Sequence, residues 1–570
     1  GAMSGAAVGS YGLLASNSTT MRVDGATILI DGAGSTGPYA YGGNISLAHV
    51  SVRTTAINPL MIGTTSYGAY GVVANLQSGV RATVSMTDGS IDTAGTSGIA
   101  AYANNSDMTL ARVNVTTLGS KAYGLQAANG GTLTGTNLQV STSGPGAYGV
   151  RTVSGSTQTL SDSSIATTGA DAYAVIAMNN NSVVDGTNLV ISSRQSGAPG
   201  ATAWSSNATD RIRVTLTGGS VSTSGADSEG VIANEANTSV TLNGTRVTTA
   251  GAFSNALKVN GGTLSVGSGA VVNATGTVAS GLFAGGSSAA TARVTLNDTT
   301  LASAQSDGIT VASGSAQIDM ARTSISGTPR WLRVGDVPTS SQLRGAAAPG
   351  LSNAVADPNA EAAGIGEEVL PASPFVAPSA APVQAVITAS ASTLNGAATT
   401  AAGATSDVTL RSASTWNMTG SSVLTKLTND ASTILFSAPS GDRTQSTSYK
   451  TLTASNYSGA AGTIGLNTYL GATGSPSDKL VIDGGSASGA SLLRITNAGG
   501  PGALTVGNGI QVVDALNGGT TAATAFALGT RAVAGPYEYQ LVRSASDGTA
   551  PDAWYLRSQA PVPPPPDWNC

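Results

Sequence analysis

Apolar residues recur along this chain in couples five positions apart. They are Val23/Ile28, Leu47/Val52, Met86/Ile91, Leu110/Val115, Leu133/Leu138, Leu160/Ile165, Val184/Leu189, Leu216/Val221, Leu242/Val247, Val266/Val271, Leu296/Leu301 and Met320/Ile325. From Val23 to Met320 the first members advance 297 positions in eleven steps, a mean of 27. In an unbroken strand, residues five apart face opposite ways. If both members are to reach a core, the chain must bend between them, and the intervening Gly, Asn, Ser, Asp and Thr suit a corner. A second series interleaves: YGLLA at Tyr11, YGVVA at Tyr70, YGLQA at Tyr123, YGVRT at Tyr148 and YAVIA at Tyr173, continuing as EGVIA, SGLFA and DGITV. Each repeat therefore holds two or three short strands. Stacked coils with parallel strands roughly 4.8 Å apart form a β-helix. A propeller blade needs more residues, leucine-rich repeats need a helix or Asn ladder, and the calcium-binding nonapeptide phrase is missing.

Two steps are long. The segments TTAINPLMIGTTS after Leu47 and SRQSGAPGATAW after Val184 are read as projecting loops. Periodicity then stops over residues 328–386, an Ala/Pro-rich, acidic insert. The expected organisation is 1–10 as tag remnant and N-terminal cap, 11–327 as β-helix repeats, and 328–386 as the insert. The C-terminal coils take 387–535 and a cap 536–558, and 559–570 is a proline-rich linker.

Composition narrows the chemistry. Gly is 74 of 570 residues and charged residues are 10%, which favours strands and tight turns. The net charge of −5 argues against a nucleic-acid partner. The single cysteine, Cys570, allows neither an internal disulfide nor a cysteine metal cluster. His49 is the only histidine and is read as an outward strand residue. No nucleophile motif accompanies it, and Asp88, Asp92, Asp162, Asp171 and Asp185 sit at corners. No enzyme activity, cofactor or metal is expected.

The region 405–558 carries Trp416, Asp478-Lys479-Leu480, Gly509-Ile510, Val512-Val513, Tyr537 to Tyr539 and Trp554-Tyr555-Leu556-Arg557, in that order. It resembles the C-terminal passenger region of pertactin-type (type V) autotransporters of Gram-negative bacteria. The resemblance implies a single all-β, right-handed parallel β-helix with protruding loops and a C-terminal autochaperone cap, exported through its own C-terminal β-barrel to the cell surface or released. Tyr537, Tyr539, Trp554 and Tyr555 would belong to that cap. It also implies a non-enzymatic virulence factor binding a host protein: matrix, receptor, or a plasma serpin or complement regulator. Self-association of an otherwise monomeric rod is the alternative, and a carbohydrate enzyme comes third. The Arg-Gly-Asp phrase of the family is missing. Aromatics beside arginines mark candidate anchors: Trp204 with Arg211 and Arg213, and Trp331 with Arg330 and Arg333. On this reading Trp331→Ala weakens a partner without disturbing the fold.

Overall fold

The computed structural model describes residues 2–5, 9–62, 65–205, 207, 209–286, 290–337 and 382–559. The chain divides into two compact units, one described as far as Ser306, the other from Asp307 to Val337 and from 382 onward. Both are β-solenoid, with about 17 turns in all, as the spacing of apolar couples predicts. Among the described residues there is no α-helix, only a 3-10 turn at Ser446–Ser448.

In the first unit a representative coil runs through Tyr123–Ala128, Thr132–Thr136 and Gln139–Thr142. The next coil repeats it as Val150–Val153, Thr157–Ser161 and Ser164–Thr167. All three strands pair in parallel with their counterparts, Leu125 with Val150, Leu133 with Gln158 and Val140 with Ile165. In the second and third strands buried and open positions alternate, so one face fills the coil. The first strand differs. Val150–Val153, Val175–Met178 and Ala201–Trp204 are buried at every position, inward and outward side chains alike. Its outward columns carry Tyr102, Tyr123, Tyr173, Ile176, Met178 and Trp204, with Tyr123 stacked on Tyr148. A buried Lys258–Glu229 pair at 2.8 Å also sits there.

The bend inside each apolar couple is made by one residue in left-handed conformation, or by two in succession at Gly218-Gly219 and Ser268-Gly269. His49, Asp88, Arg112, Asn137, Asp162 and Asn188 succeed one another there, all with φ near +50°. Such a residue breaks strand alternation and lets both couple members turn inward. Every couple is buried at both members except two: Val23 and Val271 are only half-buried, and Val272 takes the inward place of Val271. In two couples the register differs from simple counting. Leu110 stacks on Gly135, and Leu160 on Gly186, while Leu138 and Leu189 bury at the corner itself. The two glycines leave that space open, since a Cβ on Gly135 would strike Leu138 and Leu160.

The glycine that ends each phrase has a separate cause. Gly119, Gly144 and Gly169 stack in one column, and Gly225, Gly251 and Gly276 in its continuation. A Cβ on any of them would meet the carbonyl oxygen one coil below. Gln195 interrupts that column.

Two expected boundaries move. Strand Ser324–Val334 runs through residues 328–334, and Gln384–Ser390 begins before 387, so the periodic fold extends into both ends of the expected insert. Residues 338–381 and the proline-rich stretch 560–570 lie outside the described residues. The long step after Leu47 does form a projecting hairpin, Leu60–Ile62 with Thr65–Tyr67. The step after Val184 does not project at SRQSGAPG, which spans an ordinary corner; the extra length enters after Trp204.

In the second unit Ser315–Ala321, Gln384–Ser390 and Thr405–Arg411 stack in parallel, Ile318 on Ile387 on Val408. The strands lengthen to Thr451–Thr468 and Ser486–Asn497. The end changes direction: Trp554–Gln559 pairs antiparallel with both Ile510–Leu516 and Tyr537–Arg543. An antiparallel ending covers the open edge that a parallel stack otherwise presents.

Candidate functional site

Trp331 is not an exposed anchor. It is 0% exposed and lies edge-to-face on Trp416, ring centroids 6.0 Å apart. The strand bulges here, with register shifts on either side of Arg330, so Trp331 and Leu332 both turn inward in succession. Arg330 and Arg333 point outward and converge on Asp307 at 2.7 and 2.5 Å. Burial pushes the Asp307 carboxyl up, against the pull of Arg330. The expected Arg-Trp-Arg contact site is thus a core residue flanked by a largely buried ion triad. Trp204 is corrected likewise: it is 7% exposed, within the cluster that holds Tyr173 and Met178.

Arg211 and Arg213 are exposed. They line a shallow groove of about 820 Å³ with Asn181, Val183, Thr209, Ile212, Asn237 and Ser239. Arg213 meets Asp185 at 3.1 Å, and Asn181 accepts the Arg211 backbone N–H at 2.9 Å. Asp210 is buried and accepts from the Ser205 hydroxyl.

His49 stands on the left-handed corner between Asn44–Ala48 and Ser51–Thr54, not within a strand. Its Nδ1 lies 2.9 Å from Asp24, and its side chain is 67% exposed. One coil on, Arg112 grips Asp88 through two bonds at 2.6 and 2.8 Å. The hydrogen bond to Asp24, then the charge of Asp24, hold the imidazole above its ordinary value, helped by Asp88 and opposed by Arg112. The sole histidine gives one resolvable imidazole signal. Its NMR titration is expected to fall above that of a free histidine, and Asp24→Asn to bring it back down. Because the folded value is raised, the contact stabilises fully below the unfolded pKa and fades as pH rises through the folded one.

The cap residues gather at the antiparallel end. Tyr539 is fully buried, donates to the Gly471 carbonyl at 3.0 Å and accepts the Ala503 N–H at 3.0 Å. Trp554 donates to Thr521 at 2.9 Å and ends an aromatic run through Phe526 to Tyr457. Tyr555 packs on Ala545 and Ala553, and Tyr537 is half-buried. A further site has no signal in its sequence beyond the family phrase. Asp478, fully buried, accepts the Lys450 N–H at 2.8 Å, the Asn467 N–H at 2.9 Å and the Asn467 amide at 2.7 Å.

Those buried contacts fall within or beside residues 422–541, which match the family described as Autochaperone Domain Type 1. The chain is a type V autotransporter passenger domain. The autochaperone domain begins at residue 422, far upstream of the cap at 536–558 expected from sequence. Among curated relatives, the uncharacterized protein YuaQ of Escherichia coli K12 is 41% identical over 110 residues, 19% of this chain and 8% of its own. The autotransporter adhesin AIDA-I of Escherichia coli is 37% identical over 120 residues, 21% of this chain and 9% of its own. The passenger therefore spans less than a tenth of either relative's length. Among solved structures, a chain of the Vag8–C1 inhibitor complex aligns over 90% of the passenger and 99% of itself, at 17% identity and a TM-score of 0.50, a likeness of fold. Among the described residues of the passenger, no helix is long and apolar enough to cross a membrane, and no group of three His, Cys, Asp or Glu is placed to hold a metal.

Proposed function

We propose that this passenger is displayed at, or released from, the bacterial surface through the outer membrane and acts there as a non-enzymatic binding protein for a host protein. The observation that carries the reading is the autochaperone domain at 422–541, together with sequence likeness to the adhesin AIDA-I. Stacked coils that bury their own spine leave loops and corners free for contact. The Vag8 structure, of similar fold, is a complex with C1 inhibitor, so capture of a plasma serpin stands beside adhesion to matrix or receptor as a form this binding takes.

Immobilised passenger incubated with human plasma is expected to retain one dominant protein, identified by mass spectrometry, with purified C1 inhibitor as the first candidate to test directly. Retention of nothing from plasma or from matrix proteins, with concentration-dependent dimerisation in sedimentation, would replace this reading with self-association.

A further inference from the structure

The groove at Arg211 occupies the one corner of its neighbourhood that has grown. Between Met178 and Val183 the chain turns in four residues, but between their register partners Trp204 and Arg213 it takes eight. The flanking corners are strained in a way the corners at Asn129-Gly130 and Ser154-Gly155 are not. Earlier coils turn here with Asn129-Gly130 and Ser154-Gly155, a glycine taking the second left-handed position. At the groove that glycine is gone: Asn179, Asn180 and Asn181 all have positive φ, and so do Glu235 and Asn237 one coil beyond the insertion. Non-glycine residues in that region persist where the surroundings impose them, and such positions concentrate at ligand sites.

The lining sets the ligand class. Arg211 is exposed, and its guanidinium has no partner among the described residues, whereas Arg213 is held by Asp185. A guanidinium fork matches a carboxylate. Around it stand two amides, Asn181 and Asn237, and two hydroxyls, Thr209 and Ser239. The apolar lining is limited to Val183 and the buried Ile212, with no aromatic ring, so a peptide would find no anchor of the kind that dominates protein interfaces. A compact polyol fits better: its hydroxyls meet amides and hydroxyls, and its size matches a groove of about 820 Å³. We propose that this groove binds a carboxylate-bearing sugar, with Arg211 holding the carboxylate. The site is separate from the host-protein capture proposed above and does not depend on it.

The whole passenger is titrated by calorimetry and saturation-transfer NMR with N-acetylneuraminic acid, glucuronic acid, N-acetylglucosamine and a glutamate hexapeptide. One or both acidic sugars are expected to bind, and the neutral sugar not; which acid binds separates sialate from uronate recognition. Arg211→Gln is expected to weaken that binding about tenfold, the loss of one charge-assisted contact, and Arg211→Lys less. Arg211 is exposed, so circular dichroism should be unchanged in both variants; unmodified passenger that retains a plasma protein but binds neither acid, or binds an acid but retains nothing from plasma, separates failure of this site from failure of the host-protein reading. Absence of binding by either acid at millimolar concentration, binding of the hexapeptide alone, or equal affinity in Arg211→Gln would overturn the assignment.

Discussion

Trp331→Ala is expected to destabilise the unit beginning at Asp307 by about 3–5 kcal/mol, the range for emptying a large buried aromatic position. The indole is fully enclosed and forms one side of an edge-to-face pair with Trp416, so its loss opens a cavity and removes an aromatic contact. Trp416 cannot swing into the space, because its own Nε1 is tied to the Gly396 carbonyl at 2.9 Å. Trp331→Phe should cost much less. It keeps most of the volume and deletes an indole N–H that finds no hydrogen-bond partner. Urea unfolding followed by circular dichroism reads both. A midpoint unchanged in Trp331→Ala would mean that the ring is not part of the core, and would restore it as a surface anchor.

That contrast shows where the sequence speaks and where it does not. The couples five apart expose the solenoid because both conditions they impose, a bend and two inward side chains, must be met in every coil, and repetition makes the pattern visible. Leu133/Leu138 looks like any other couple, yet its coil places Gly135 where Leu110 sits below and lets Leu138 fill the corner. Burial of both members is preserved, and the register is not, because a small residue and a large one exchange places inside the same volume. PRWLR misleads for a local reason. Pro and two flanking arginines have the look of a loop, and one bulge reverses what alternation implies for the Trp between them. The arginines are outward, but Asp307, 23 and 26 residues earlier, engages both. No short window contains that acid.

The groove was half legible. The step between Val184 and Leu216 is long in the sequence, and length alone points to an insertion within that coil. Its position was misplaced because SRQSGAPG has turn composition, whereas the residues after Trp204 resemble ordinary repeat text. What decides the matter is pairing: Ser193 to Ala201 is spanned as in the preceding coil, and the additional residues fall between Trp204 and Arg213. The left-handed run Asn179–Asn181 is likewise a statement about φ, which an Asn triplet permits but does not compel.

Asp478→Ala is expected to cost about 3–5 kcal/mol, although the carboxylate meets no cation in hydrogen-bond range among the described residues. The reason is the donors left behind. Two backbone N–H groups, of Lys450 and Asn467, and the Asn467 side-chain amide all end on this one carboxylate, inside the autochaperone domain. The same Asn467 amide nitrogen also reaches the Phe436 carbonyl at 3.0 Å, so the acid ties both ends of the strand Thr451–Thr468 and, through Asn467, the end of the strand Thr433–Phe436 beneath it. A buried carboxyl group that gathers N–H donors is replaced poorly by water, which would have to be drawn into a position 0% exposed. Asp478→Asn tests the charge apart from the geometry. One amide oxygen can keep one or two of the donors, but its NH₂ then faces another donor, so a loss of about 2–3 kcal/mol is expected, between wild type and Asp478→Ala. Guanidinium unfolding of the two variants, followed by Trp fluorescence, gives the ordering. If Asp478→Ala matched wild type, the donors would have found water or one another, and the acid would be dispensable to the domain whose phrase it marks.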